Sequence, residues 1–91
     1  MNPLGFELEI EESLKKKIAK YAAKNPEFRK AVEGKIKQIL ENPARFKPLH
    51  APMQSKRRAH ILKSFVLVYE FFESEKIVRI VDVDHHDNIY K

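Results

Sequence analysis

The stretch from Asn42 to Tyr69 is the part of this 91-residue chain best suited to bind a polyanion, because it contains no carboxylate. Its cations are Arg45, Lys47, Lys56, Arg57, Arg58 and Lys63. His50 and His60 add imidazoles, which can exchange protons near neutral pH. All acidic side chains lie before or after this stretch, so positive and negative charges are separated along the sequence. The separation predicts an RNA, DNA or acidic protein partner, with a solvated basic loop as the plain alternative.

A second group of titratable residues lies close to the C-terminus and consists of Asp82, Asp84, His85, His86 and Asp87. Carboxylates and imidazoles in so short a stretch could ligate Zn²⁺, Mn²⁺ or Mg²⁺. In an extended strand, Asp82, Asp84 and His86 share one face and would form an open three-ligand site of the kind that hydrolytic metals use. The same alternation puts His85 and His86 on opposite sides, so at most one of them can face a given site.

One small domain must position these residues, since a chain of this length forms a single core, and we expect residues 1–91 to be that domain. Cysteine is absent, which excludes a disulfide framework and a thiolate zinc site and favours a reducing compartment. No apolar run approaches the roughly 20 residues that span a bilayer, and the first residues do not read as a signal peptide. The expectation is a soluble, cytoplasmic protein.

The hydropathy period predicts one strand followed by two helices. Phe6, Leu8 and Ile10 alternate with glutamates, which puts three apolar side chains on one face of a strand. The apolar stripes of the two helices are Leu14, Ile18, Tyr21 and Ala22 in the first, and Phe28, Val32, Ile36, Ile39 and Leu40 in the second. Asn25 and Pro26 separate them as N-cap and first helical residue. So short a joint predicts an antiparallel helical hairpin.

The second half predicts a loop and then a three-stranded antiparallel meander. The expected order is a loop over 43–55 with three prolines, a strand over 56–62, a turn at 63–64, a buried strand over 65–69, a turn at 73–75 and a last strand over 76–84. A loop this long in so small a domain favours a functional role. The fold class is therefore α+β, with both helices packed on one face of a mostly antiparallel sheet.

Two short motifs give the chain a family resemblance. The first runs from His60 through Ser64 and the apolar residues that follow to Tyr69, and the second is His86-Asp87-Asn88-Ile89-Tyr90. Together with the Pro48-Leu49 pair and the order of elements, they resemble the RelE/ParE toxin superfamily, and within it the YafQ-like branch. Ser64 stands where that branch has an aspartate, and Val66 where RelE itself has an arginine.

The resemblance implies a RelE-like fold, related to that of microbial ribonucleases, and the toxin half of a toxin–antitoxin pair. Such a toxin cleaves messenger RNA on the ribosome without metal or other cofactor. An acidic, helix-rich antitoxin protein wraps and silences it, so we expect a free monomer that forms a hetero-oligomer with its partner. His60 and His86 match the catalytic histidine positions, and Tyr90 matches the terminal aromatic.

The chemistry suits these side chains. RNA is cleaved when its 2′-hydroxyl attacks the adjacent phosphate, and two imidazoles can remove one proton and supply another. Lys47, Arg57, Arg58 and Lys63 would neutralise the phosphate, and Tyr90 would stack on a base or donate to a phosphate. Which arginine faces the site stays open. The alternatives are a ParE-like protein that poisons a DNA topoisomerase, an inactive member that only binds its partner, and the metal-dependent hydrolase.

Overall fold

The computed structural model describes residues 5–49 and 55–89. Its elements are β1 (Glu7–Ile10), α1 (Glu12–Lys24), α2 (Pro26–Glu41), a 3-10 turn (Pro43–Arg45), β2 (Arg57–Ile61), β3 (Phe65–Phe72), β4 (Ile77–His85) and α3 (His86–Ile89). The predicted α+β class and the order of its main elements are confirmed. No helix in these two ranges is long and apolar enough to cross a membrane.

The joint between α1 and α2 forms as the sequence indicates. The Asn25 side chain accepts a hydrogen bond from the Glu27 amide at 3.1 Å, and Pro26 is the first residue of α2. This satisfies one of the amides that a helix start leaves without a partner. α1 and α2 therefore form a hairpin that packs as one layer.

The four strands form one sheet in the order β1-β4-β3-β2. β1 runs parallel to β4, and the other neighbouring strands are antiparallel. In the register, Val66 lies opposite His60 on β2 and opposite Asp84 on β4. Directly opposed residues share a face, so His60 and Val66 lie on the same side of the sheet.

The two faces of the sheet are covered unequally. The main core lies between the sheet and the hairpin and contains Leu67, Tyr69, Val83, Phe28 and Ile39. On the other face, Val66 and Val68 are covered by Leu49 and Ile89. The apolar run of β3 is thus buried on both sides, as predicted, while much of the second face carries polar side chains.

The first strand departs from its predicted pattern at Leu8. Phe6 and Ile10 pack against the core, but Leu8 remains 42% exposed. β1 has four residues and lies at the edge of the sheet, where the helical layer covers it incompletely. The alternation therefore predicts the strand correctly but overstates its burial.

The segment after α2 is more ordered than the predicted loop. Pro43–Arg45 forms the 3-10 turn, and the Tyr69 hydroxyl donates a hydrogen bond to the Pro43 carbonyl. Further along, the Leu49 amide donates to the Lys56 carbonyl at 2.9 Å, and the Arg58 amide donates to the Lys47 carbonyl at 3.1 Å. Residues 47–49 therefore extend the sheet edge beside β2 and hold a basic segment against that strand.

Candidate functional site

Arg58 and His60 lie on the face of β2 that points away from the helices. They alternate with Ala59 and Ile61, which are buried in the main core. A cleft of about 370 Å³ runs along the outer edge of this strand. We call it the edge cleft, and its lining residues are Lys35, Arg45, Phe46, Lys47, Arg58, Ala59 and His60. Three of the predicted site residues, Lys47, Arg58 and His60, therefore come together here.

The two adjacent arginines of β2 have different surroundings, and only one shares the face of His60. The Arg57 guanidinium donates to the Phe46 carbonyl at 2.6 Å and to the Ala44 carbonyl at 3.5 Å, and it lies 5.5 Å from the centre of the Phe71 ring. These contacts hold the segment after α2 to the sheet. Arg58 is the arginine on the same side as His60.

His86 lies at the opposite side of β3, in a second cleft of about 460 Å³. We call it the end cleft, and it is lined by Lys63, Ser64, His85, His86 and Asp87. The His86 amide donates to the Ser64 carbonyl at 2.7 Å, and its Nδ1 lies 3.7 Å from an Asp87 carboxylate oxygen. The predicted turn residue Lys63 is thus beside the predicted catalytic His86.

The expectation that only one of His85 and His86 can face a given site is wrong. It assumed an extended chain, but β4 ends at His85 and α3 begins at His86. The change from strand to helix removes the alternation of side chains, so both histidines line the end cleft.

His60 and His86 flank the first residues of β3. On the β2 side of β3, His60 lies directly opposite Val66. On the β4 side, the His86 amide donates a hydrogen bond to the Ser64 carbonyl. Two strand spacings of about 4.8 Å and two residues along the strand separate them, which puts their Cα atoms about 12 Å apart. Val66, which lies between them, is fully buried and makes apolar contacts in the small second core.

The carboxylates of the metal hypothesis are occupied by a lysine. The Lys17 Nζ lies 2.8 Å from an oxygen of Asp82 and 2.8 Å from an oxygen of Asp84. Within 5–49 and 55–89, no group of three or more His, Cys, Asp or Glu side chains is arranged to hold a metal ion. The Lys17 ammonium thus supplies the positive charge between the two carboxylates, which counts against the predicted Asp82, Asp84 and His86 site.

Asp84 is also the centre of a hydrogen-bond network that joins three elements. It accepts hydrogen bonds from the Tyr21 hydroxyl at 3.0 Å, the Asn88 amide nitrogen at 2.9 Å and the His85 backbone amide at 2.7 Å. Burial alone would raise the pKa of the Asp84 carboxyl, but the bonds from Lys17, Asn88, His85 and Tyr21 outweigh it and hold that pKa well below its usual range. Sequence patterns do not reveal this network, because Lys17 looks like one more outward lysine of α1.

One predicted site residue, Tyr90, lies outside the described residues, as does His50. The others, apart from Arg57, are divided between the two clefts at either side of β3. The edge cleft has Lys47, Arg58 and His60, and the end cleft has Lys63 and His86. Both groups are cationic or titratable, which suits a phosphate-bearing ligand that crosses the start of this strand.

An open sheet backed on one face by a helical hairpin is the fold of RelE-like toxins. The Mycobacterium tuberculosis structure described as the toxin–antitoxin complex RelBE2 matches with a TM-score of 0.72 and 19% identity, over 93% of this chain and 95% of that one. YafQ from Escherichia coli matches with a TM-score of 0.70 and 18% identity, over 94% and 99%. At these identities the likeness shows the fold alone.

Sequence comparison shows the family. The profile of the ParE toxin of type II toxin–antitoxin systems, parDE, matches residues 6–90. A Methanocaldococcus jannaschii protein named "Putative toxin RelE4" is 44% identical over 86 residues, which cover 94% of this chain and 92% of the relative. The chain belongs to the ParE toxin family, within the RelE/ParE superfamily, and is a toxin of the type II toxin–antitoxin class.

Proposed function

We propose that this toxin is a ribosome-dependent messenger-RNA endoribonuclease that works without metal. The observation that supports the proposal is the pair of clefts at the start of β3, each of which combines a predicted catalytic histidine with cationic side chains. An RNA strand laid across β3 would meet His60 and Arg58 on one side and His86 and Lys63 on the other.

In the proposed reaction, the two imidazoles exchange protons with the RNA. One takes the proton of the 2′-hydroxyl as its oxygen attacks the adjacent phosphorus, and the other gives a proton to the departing 5′-oxygen. The products are a 2′,3′-cyclic phosphate and a free 5′-hydroxyl. Arg58 and Lys63 stabilise the extra negative charge on the phosphorane, and Lys47 binds a neighbouring phosphate. Tyr90 would stack on a base or donate to a phosphate.

The proposed partners are messenger RNA on the ribosome and an acidic, helix-rich antitoxin. Membership of a toxin–antitoxin family supports the second partner, as does the fold shared with the M. tuberculosis protein, whose structure is that of a toxin–antitoxin complex. The net charge of +5 and the basic 42–69 stretch suit both partners, since both are anionic. The free toxin would be a monomer and the silenced form a hetero-oligomer.

The test is the pair of variants His60→Ala and His86→Ala, each expressed in a host cell and in a translating extract. Since each proton transfer is worth roughly 10²–10⁴ in rate, each variant should lose growth arrest and messenger-RNA cleavage mapped by primer extension. Both histidines are exposed, so circular dichroism should show an intact fold. Lys37→Ala, an exposed change on α2 away from the two clefts, is the control and should cleave normally.

A second candidate is a ParE-like protein that poisons a DNA topoisomerase, and the family match favours it because the matching profile is that of ParE. In that case His60→Ala and His86→Ala would remain toxic and no messenger RNA would be cut. If the purified toxin then inhibited DNA supercoiling by the topoisomerase, the ParE-like function would replace the nuclease proposal.

A further inference from the structure

A third cleft, of about 530 Å³, lies on α1 beside the junction of β4 and α3. We call it the α1 cleft, and its lining residues are Lys17, Lys20, Tyr21, Lys24 and His85. Lys20 and Lys24 are exposed and have no ion pair or hydrogen bond with another residue of the described ranges. Lys24 lies in the last turn of α1, where a cation stabilises the helix, but like charges four residues apart destabilise it, so helix stability does not account for Lys20.

The other polar groups of the α1 cleft are already used within the protein. Lys17 pairs with Asp82 and Asp84, and the Tyr21 hydroxyl donates to Asp84. These contacts occupy the two carboxylates, and the Lys17 ammonium balances the charge of one of them. The groups left to meet a ligand are therefore the two ammonium groups of Lys20 and Lys24 and the imidazole of His85.

The His85 ring offers one face for stacking. It stacks on Phe65 with ring centres 4.3 Å apart, and its centre is 5.7 Å from that of Tyr21. Tyr21 and Phe65 are 5.0 Å apart, so the three distances put Tyr21 on the same side of the imidazole as Phe65. Within the described ranges, the opposite face of this exposed ring has no aromatic neighbour.

His85 also lines the end cleft, where His86 and Lys63 lie. The α1 cleft and the end cleft are therefore adjacent and share one side chain. A chain of phosphates that enters the end cleft can continue past His85 to Lys20 and Lys24 on α1.

We propose that the α1 cleft binds single-stranded RNA next to the nucleotide that is cleaved, with phosphates on Lys20 and Lys24 and a base stacked on His85. Cations that follow a backbone, together with a ring that stacks on a base, are the recurring features of single-strand binding. An acidic protein segment would use the lysines but would have no need of a stacking face. The proposal rests on the proposed function for its position beside the reacting nucleotide, but its test does not require cleavage.

The experiment measures binding of a labelled 2′-O-methyl RNA 12-mer, which cannot be cleaved, to the full chain by fluorescence anisotropy. The double variant Lys20→Gln, Lys24→Gln should raise Kd about tenfold at low salt. It should also make the negative slope of the logarithm of the association constant against the logarithm of the salt concentration shallower by about 1.4, because each lost single-strand phosphate contact removes about 0.7. The control is Lys30→Gln with Lys37→Gln, which removes two exposed lysines from α2. It should leave both quantities close to those of the unaltered protein.

His85 is tested by two substitutions. His85→Ala should raise Kd about fivefold or more with the salt slope unchanged, since stacking is not an ion-release effect. His85→Phe keeps a stacking ring and should restore binding. Failure of His85→Phe to restore binding in a folded variant would remove base stacking from the proposal.

Three results would overturn the proposal. The control pair could weaken binding as much as the Lys20 and Lys24 pair, which would mean that only net charge matters. The α1 variants could leave RNA binding unchanged. They could also weaken binding of a polyglutamate 12-mer but not of RNA, which would assign the cleft to an acidic protein. Failure of the nuclease proposal would give a different result from failure of this one, because RNA would still bind through the α1 cleft but no messenger RNA would be cut.

Discussion

At the scale of single residues, Arg57 and Arg58 are neighbours in sequence but lie on different sides of β2. Arg57 donates to two backbone carbonyls after α2 and lies against Phe71, whereas Arg58 shares its face with His60. The first is a structural residue, and we propose that the second binds phosphate. The two positions form a natural matched pair.

We predict that the two alanine variants affect different properties, stability for Arg57→Ala and cleavage for Arg58→Ala. Arg57→Ala should lower the free energy of unfolding by about 1–3 kcal/mol, because it leaves the Phe46 carbonyl without its charged donor. Arg58→Ala should lower messenger-RNA cleavage by at least about tenfold. Urea unfolding and primer extension on both variants check this. A larger cleavage loss for Arg57→Ala at a temperature where both variants are folded would reverse the assignment.

At the scale of elements, Asp84 joins β4, α1 and α3. The carboxylate binds Lys17 and Tyr21 of α1 and Asn88 of α3, and its side chain is only 15% exposed. α3 has four residues and could not be stable as an isolated helix. Its position, and therefore that of His86, depends on this network and on the bond from the His86 amide to Ser64.

The network predicts a defined pH dependence of stability. The folded pKa of Asp84 lies below its ordinary value, so its stabilising contribution is complete above the unfolded pKa and is lost as the pH falls below about 4 towards the folded pKa. Asp84→Asn should cost about 1–3 kcal/mol at pH 7. Its unfolding free energy should then depend less on pH, and the two curves should converge as the pH falls below about 4.

Urea unfolding followed by circular dichroism between about pH 3 and pH 7 measures this difference. Asp87→Asn is the control, because the Asp87 side chain is fully exposed and its pair with His86 should contribute little to stability. If Asp84→Asn and the unaltered protein lost stability in parallel as the pH fell, the network would not be the source of the acid sensitivity.

At the scale of the whole molecule, the separation of charge along the sequence becomes a basic region beside β2 and the β2–β3 turn. The edge cleft and the end cleft carry most of its cations. The apolar groove between α1 and α2 is different in character: it has a volume of about 480 Å³ and is lined by side chains such as Ile18, Ala22, Val32 and Ile36. A protein partner can therefore meet the toxin through charge or through apolar contact.

We predict that the proposed acidic antitoxin associates through charge first. Its association rate should fall markedly as salt rises through the physiological range, where the Debye length is roughly 8 Å. Replacing Lys47 and Arg58 together by Ala should slow association further and reduce its salt dependence. Stopped-flow mixing measures the rates, and Lys30→Ala with Lys37→Ala is the charge-matched control.

A rate that depended neither on salt nor on the Lys47 and Arg58 substitutions would contradict this prediction. The partner would then dock through the apolar groove of the hairpin, and the carboxylate-free stretch would serve RNA alone. Apolar-to-charged substitutions in the groove, such as Ala22→Glu, would be the variants that slow association in that case.

The helices α1 and α2 and the four strands can be predicted without the structure, since their signals are local, whereas the 3-10 turn and α3 are not predicted. The periods of the apolar residues predict α1, α2 and the strands, and Asn25 and Pro26 mark the joint between the helices. The unbroken apolar run that begins at Phe65 predicts a strand buried on both faces. The two histidine motifs identify the superfamily, because the spacing of a motif is also a property of the chain alone.

Which side chains meet is visible only in the folded protein. Lys17 lies 65 and 67 positions from the two aspartates that it binds, and residues 47–49 pair with the start of β2. His85 and His86 share a cleft only because a strand ends between them. Such contacts depend on strand order, register and the point at which one element gives way to the next. Local periodicity carries little information about these features, because they are fixed by packing between residues that are distant in the sequence.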